Sequence, residues 1–303
     1  AGTTSLFTYL AEHPQIFMPR IKEPFYFCSD LPGYREQETF IVNMSAYLNL
    51  FAAASDRHLT CGEASPFYLM SKVAVPSIIK FNPEARFIVM LRNPVDLVQS
   101  FHSQLVYSLK ESVQDFEQAW RLQSLRAQGR RIPKQCLEPA LLQYRQVGML
   151  GAQMARLFAH VSPSRVKVLL LDDLATDPQE TYEDILAFLG VPSDRRAEFS
   201  KINANKVHRI PFLAELVRRP PFPLNVLREQ YRRHVGVGSW PSLVFSLLNG
   251  KRLTRKPLSP ALRLELEAEF RADVRLLECL IDRDLSHWTP SARPVPQGGR
   301  QVA

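Results

Sequence analysis

Gly2-Thr3-Thr4-Ser5 stands directly ahead of an apolar-periodic stretch and follows Ala1. Small residues let the backbone curl, so the N–H groups of a starting helix converge on one point, and three hydroxyls add donors. Such a nest suits phosphate oxygens, helped by the helix dipole. The same residues also read as a simple capping turn without a ligand.

Arg92-Asn93-Pro94 closes an apolar run, and Ser100 follows eight residues after the arginine. In open α/β sheets ligands bind beyond the C-terminal ends of strands. There a guanidinium and a hydroxyl one to two helical turns on can grip one phosphate through charge-assisted hydrogen bonds. The plainer reading is an arginine leaving a strand into solvent. Lys22-Glu23-Pro24-Phe25-Tyr26-Phe27 sets a carboxylate beside an aromatic cluster, a setting that can tune a general base. It reads equally as a surface ion pair before a buried aromatic stretch. His58, His102 and His208 are alternative bases.

The elements that must position these groups follow from periodicity. Residues 5–12 form an amphipathic helix stopped at His13-Pro14, with helices expected at 39–54 and at 66–80 and a short strand at 58–62. Residues 86–91 (RFIVML) and 165–171 (RVKVLLL) are apolar runs of the kind buried in parallel sheets. Asn93-Pro94 caps the next helix. Long helices are expected at 112–128 and 140–159. Another spans 178–189, ended by Gly190, and a last one spans 258–282. Strands alternating with helices imply a parallel sheet covered on both faces.

The bulk numbers agree: 303 residues, 46% hydrophobic and 22% charged, are ordinary for a globular chain. No run approaches the ~18 apolar residues that a membrane span needs. Cys28, Cys61, Cys136 and Cys279 are scattered without a CxxC pair, which disfavours a zinc site or disulfide framework. Reduced, mostly buried thiols and a cytoplasmic setting are the expectation. The net charge of +8 is concentrated: residues 205–256 carry eleven Lys/Arg against Glu215 and Glu229, so +9 there leaves −1 elsewhere. With six prolines in 211–257, this stretch reads as an irregular, basic insert facing an anionic partner.

Taken in order, AGTTSL, KEPFYF, GEASPFYL (62–69), FIVMLRNPVDLVQSFHSQ (87–104), VKVLLLDDL (166–174) and the tail LSPALRLELEAEFRADVRLLECLIDRDLSHW (258–288) resemble the PAPS-dependent sulfotransferase family. The likeness is closest to its bacterial branch and to domains that sulfate carbohydrates, including heparan-type enzymes. It covers roughly 1–104 and 165–288.

The resemblance implies a single α/β domain across 1–303 with a P-loop-NTPase-like, three-layer architecture: a central parallel β-sheet flanked by helices, with 205–257 as a basic lid or insert. It implies 3′-phosphoadenosine 5′-phosphosulfate (PAPS) as donor, 3′,5′-adenosine bisphosphate as product and no metal. It makes Gly2, Thr3, Thr4 and Ser5 the loop for the 5′-phosphosulfate, and Arg92 with Ser100 the pair for the 3′-phosphate. Glu23 becomes the general base, with Lys22 orienting it or the sulfuryl oxygens. Asn203, Asn205, Lys206 and Arg209 resemble a late basic loop that closes over the donor. The acceptor would be a small molecule or glycan bearing a hydroxyl or amine.

Two departures stand out. The family carries a strand and a lysine just ahead of the Ala-Gly-Thr-Thr turn, and both would precede Ala1, so poor folding and little activity are expected of a chain without them. Ala64 stands where glycan-sulfating relatives often have lysine. Two other functions fit parts of the chain. A P-loop kinase would need Gly-Lys-Ser/Thr where this chain has Gly-Thr-Thr-Ser. A non-catalytic protein could use the basic segment, with the apolar 239–253, on nucleic acid or an anionic membrane.

Overall fold

A computed structural model of the chain describes residues 2–34, 41, 43–199, 206–208, 250–252 and 256–290. The side chains of 34, 206–208 and 250–252 are outside that description, as are Asn203, Asn205, Arg209 and nearly all of the basic insert.

The chain begins with helix α1 (Thr3–Glu12), then strand β1 (Ile16–Phe17), α2 (Met44–Asn49), β2 (Thr60–Cys61), α3 (Ala74–Phe81) and β3 (Phe87–Leu91). Helices α4 (Pro94–Tyr107), α5 (Phe116–Arg121), α6 (Gln123–Ala127), α7 (Tyr144–Gly148) and α8 (Leu150–Phe158) lead to β4 (Val166–Leu170). The rest is α9 (Leu171–Thr176), α10 (Pro178–Leu189), β5 (Lys206–His208), β6 (Gly250–Arg252) and α11 (Pro260–Ile281). β1 pairs in parallel with β2. β3 pairs in parallel with β4, from Phe87 opposite Val166 to Leu91 opposite Leu170. β5 and β6 form an antiparallel pair that brackets the basic insert and packs against α4.

Successive strand side chains point to opposite faces, and the two faces bury different cores. Leu170, Val89 and Leu91 join one core with α3, α4, α8 and α11. Leu169 joins the other with α1 and α10, and Ile88 and Met90 pack against it. This is a three-layer α/β domain with helices on both faces of the β3–β4 pair, as the alternation of strands and helices predicted, and P-loop-like as the resemblance implied. α11 buries Leu262, Leu266, Phe270, Val274 and Leu277 along one stripe, each contributing about 1.5–3 kcal/mol relative to exposure. It lies so close to α8 that a methyl on Gly151 would come within 2.2 Å of the Asp273 carbonyl oxygen. The Asp273 carboxylate accepts from the Gly151 and Ala152 N–H groups at 2.7 and 2.8 Å, satisfying donors that the start of α8 leaves without helical partners.

Several expected helices are shorter or broken. The stretch 66–80 divides into a 3₁₀ turn at Pro66–Tyr68 and α3, because Ser71 Oγ accepts from the Val73 and Ala74 N–H groups and starts a new helix. The stretch 112–128 yields only α5 and α6, and 140–159 yields a 3₁₀ turn, α7 and α8. The Gln123 carbonyl and Oε1 accept from Gln143 and from the Arg145 N–H, so side chains stitch these pieces together. Of 39–54, Met44–Asn49 is helical. β1 and α9 were not expected. Two of the four thiols, Cys28 and Cys136, are buried, while Cys61 and Cys279 are exposed, and all four are free. No helix among the described residues is long and apolar enough to cross a membrane.

Candidate active site

A glycine is favoured at the start of α1. Gly2 has φ 71°, and a methyl there would come within 2.4 Å of the Met90 sulfur and 2.7 Å of Leu171 Cδ1. The helix N-terminus is thereby pressed against the C-terminal end of β3 and the start of α9. No side chain caps α1, and its first turn holds no acidic residue. Gly2, Thr3, Thr4 and Ser5 line a cleft of about 1470 Å³, and the first-turn N–H groups have no intrahelical acceptor.

Arg92 and Ser100 line the same cleft. The Asn93 side chain holds their turn: Oδ1 accepts from the Val95 N–H at 2.9 Å, capping α4, and Nδ2 donates to the Trp288 carbonyl at 3.1 Å. Asp96 lies 4.0 Å from the Arg92 guanidinium and 3.2 Å from that of Arg263. These pairs are partly exposed and so hold Arg92 only weakly, leaving its charge for an anion.

The third group enters by an unusual backbone. Glu23 and Phe25 both have positive φ, 63° and 52°, a region that non-glycine residues seldom occupy. Glu23 lines the cleft. Lys22 is not among the lining side chains and forms an ion pair with Glu23 from beside it. The Phe25 ring is buried and stacks on Phe67 at 5.4 Å, while Tyr26, Phe67 and Tyr68 are half-buried.

Glu63, passed over in reading the sequence, is the most perturbed carboxyl of the cleft. Burial pushes it up to about 7, against hydrogen bonding from Tyr68 and Ser65 and with a further push from Glu23. Its Oε2 accepts from Ser65 Oγ at 2.9 Å, and Ser65 Oγ accepts from the Phe25 N–H at 3.1 Å. Glu63 Oε1 and the Tyr68 hydroxyl are both buried, and the hydroxyl is close enough to Glu63 to favour its ionised form. The available signal was an acid set among small residues just before a proline.

The histidines fall elsewhere. His102 is buried among Phe116 and Tyr144, donates to the Val113 carbonyl at 2.8 Å and has its pKa lowered by burial. His58 is bound to Ser55 at the surface. Neither lines the cleft, and the His208 side chain is outside the described residues. No group of three or more His, Cys, Asp or Glu is assembled as a metal site among the described residues.

Residues 35–195 match the model of the family described as "Sulfotransferase family". A crystal structure of a sulfotransferase from Alicyclobacillus acidocaldarius superposes with TM-score 0.68 and 28% identity, over 95% of this chain and 94% of that one. The sulfotransferase domain from the curacin biosynthetic pathway aligns with TM-score 0.43 and 13% identity, over 91% and 93%. No curated protein sequence matches the chain.

Proposed function

Because this chain belongs to the sulfotransferase family, we propose that it transfers the sulfuryl group of PAPS to a hydroxyl or amine of a small molecule or glycan. The observation that carries this reading is the meeting of two anion-binding groups, the uncapped start of α1 and Arg92, at the C-terminal end of β3, with Glu23 on the same cleft.

In this proposal the N–H groups and hydroxyls of Gly2, Thr3, Thr4 and Ser5 bind the 5′-phosphosulfate, and Arg92 with Ser100 binds the 3′-phosphate. Lys206 sits on β5, and Asn205 and Arg209 flank it, at the root of the basic insert. The insert's charge suits it to close over the donor, and β5, the strand it follows in the chain, lies beside α4. The acceptor oxygen or nitrogen attacks sulfur in line. A bond from acceptor to sulfur forms as the bond from sulfur to the 5′-phosphate oxygen breaks. The acceptor proton passes to Glu23, and adenosine bisphosphate leaves with the electron pair. Positioning and charge stabilisation dominate such a transfer, as in phosphoryl transfer.

We also propose one catalytic domain over 1–303.

Calorimetric titration with adenosine bisphosphate, beside ATP and magnesium, tests the reading. Micromolar or tighter binding of the bisphosphate, with little of ATP, is expected. The reverse would favour a kinase, and no binding to the folded protein overturns the proposal. Glu23→Gln should keep that binding and lose about 10²–10⁴-fold in turnover. Binding lost together with turnover would make Glu23 structural.

A further inference from the structure

Two left-handed residues flank Pro24, and a buried hydrogen-bond chain ends on the second of them. We propose that Ser65 and Glu63 are positioning residues that clamp the Glu23–Phe25 turn and thereby aim the Glu23 carboxylate into the cleft. The inference rests on the sulfotransferase reading only in what that carboxylate does once aimed.

Left-handed backbone at non-glycine residues persists where the surroundings over-determine it, and such residues gather at functional sites. Here the Phe25 N–H donates to Ser65 Oγ at 3.1 Å in a buried environment, and the Phe25 carbonyl accepts from the Cys28 N–H at 3.0 Å. The Phe25 ring is fixed on Phe67. Ser65 is itself buried. A serine hydroxyl has one proton and two lone pairs, so donating that proton to Glu63 Oε2 turns a lone pair toward Phe25.

Glu63 therefore sets the direction of the Ser65 hydroxyl, and Ser65 sets the turn. Tyr68, Tyr47, Cys28 and Glu23 are the groups whose ionisation is coupled to Glu63, and none of them is a cation. The Tyr68 hydroxyl and the Ser65 hydroxyl both act on its carboxyl, and Ser65, at 2.9 Å, is the one that also reaches the Phe25 N–H. Truncating Ser65 should leave the donor-binding residues in place and let the Glu23 turn relax.

The test compares Ser65→Ala, Ser65→Thr and Glu63→Gln with the parent protein. Three quantities are read: amide hydrogen exchange at Phe25, affinity for adenosine bisphosphate, and bisphosphate release from PAPS with water as acceptor. Losing the Ser65 hydroxyl should speed Phe25 exchange and slow release, each about tenfold, the equivalent of one hydrogen bond. Bisphosphate affinity should stay within about twofold, and Ser65→Thr should restore both quantities because it keeps the hydroxyl. Glu63→Gln keeps an acceptor oxygen and should give a smaller effect in the same direction. Unchanged Phe25 exchange overturns the clamp. Faster exchange with undiminished release, or no rescue by threonine, overturns its role in aiming Glu23. A parent protein that binds no bisphosphate defeats the sulfotransferase reading instead, and the exchange measurement still decides the clamp.

Discussion

The side-chain amide of Asn93 donates to the Trp288 carbonyl at 3.1 Å, joining residues 195 positions apart. Its oxygen caps α4 at the same time. One side chain thus fixes the turn that carries Arg92 both to its own helix and to the last described turn of the chain, where Trp288 is buried.

Replacing Asn93 should separate these two bonds. Asn93→Ser keeps a capping oxygen and loses the donor to Trp288, with an expected cost of about 1 kcal/mol. Asn93→Ala loses both, with an expected cost of about 2 kcal/mol. Denaturant unfolding reads the difference, and equal losses would mean that the cap contributes nothing.

The phosphate-binding proposal makes unequal demands on Gly2 and Arg92. Arg92→Ala removes charge-assisted hydrogen bonds and should weaken bisphosphate binding about 10–100-fold. Gly2→Ala adds a left-handed penalty of about 1–2 kcal/mol and a methyl against Met90 and Leu171. It should distort the α1 start and weaken binding with little change in the unfolding of the α11 core. Calorimetric titration of both variants is the check, and full affinity in Arg92→Ala removes that residue from the site.

Arg126 and Glu111 form a fully buried, two-pronged ion pair at 2.7 and 2.8 Å, and the Tyr144 hydroxyl donates to Glu111 at 2.6 Å. Burial alone would push the Glu111 carboxyl up, but Arg126 and Tyr144 outweigh it and hold the carboxyl below its usual range. Arg126→Met leaves that carboxylate uncompensated and should cost about 3–5 kcal/mol. Adding Glu111→Leu to Arg126→Met should recover much of the loss, so a double-mutant cycle measured by thermal or denaturant unfolding tests the pair.

Glu63 should impress a pH dependence on stability. Its folded carboxyl sits near 7 against an ordinary 4.5, so the folded state binds the proton more tightly. The stabilisation is fully present below about 4.5 and is lost as pH rises through about 7, a loss of about 3 kcal/mol at roughly 1.4 kcal/mol per unit. Glu63→Gln cannot titrate. Unfolding free energies from pH 4.5 to 8 should therefore show the parent protein declining relative to the variant, and parallel curves would refute the assignment.

Much of this protein was legible in order along the chain. Apolar runs at 86–91 and 165–171 became the paired strands β3 and β4 because a strand buried on both faces needs no polar alternation. Asn93-Pro94 and Gly190 marked helix ends through local chemistry, an amide cap and a left-handed glycine. Arg92, Ser100, Glu23 and Gly2–Ser5 were singled out by the order of their motifs along the chain, and the structure brings them to one cleft. The helices over 112–128 and 140–159 were misjudged. Their breaks come from contacts between segments, such as Gln123 with Gln143 and Arg145, which helical periodicity does not record.

The sequence by itself determined the α/β alternation, the strand cores and the chemical vocabulary of the cleft, since periodicity and capping act over one or two turns. Only the tertiary structure decided that Glu63 lies buried beside Glu23's turn, 40 residues away, with Ser65 bridging them. Only it decided that Gly2 is crowded by Met90 and Leu171. Burial shifts a carboxyl and packing selects a glycine through atoms distant in sequence, so neither effect exists until the layers have closed.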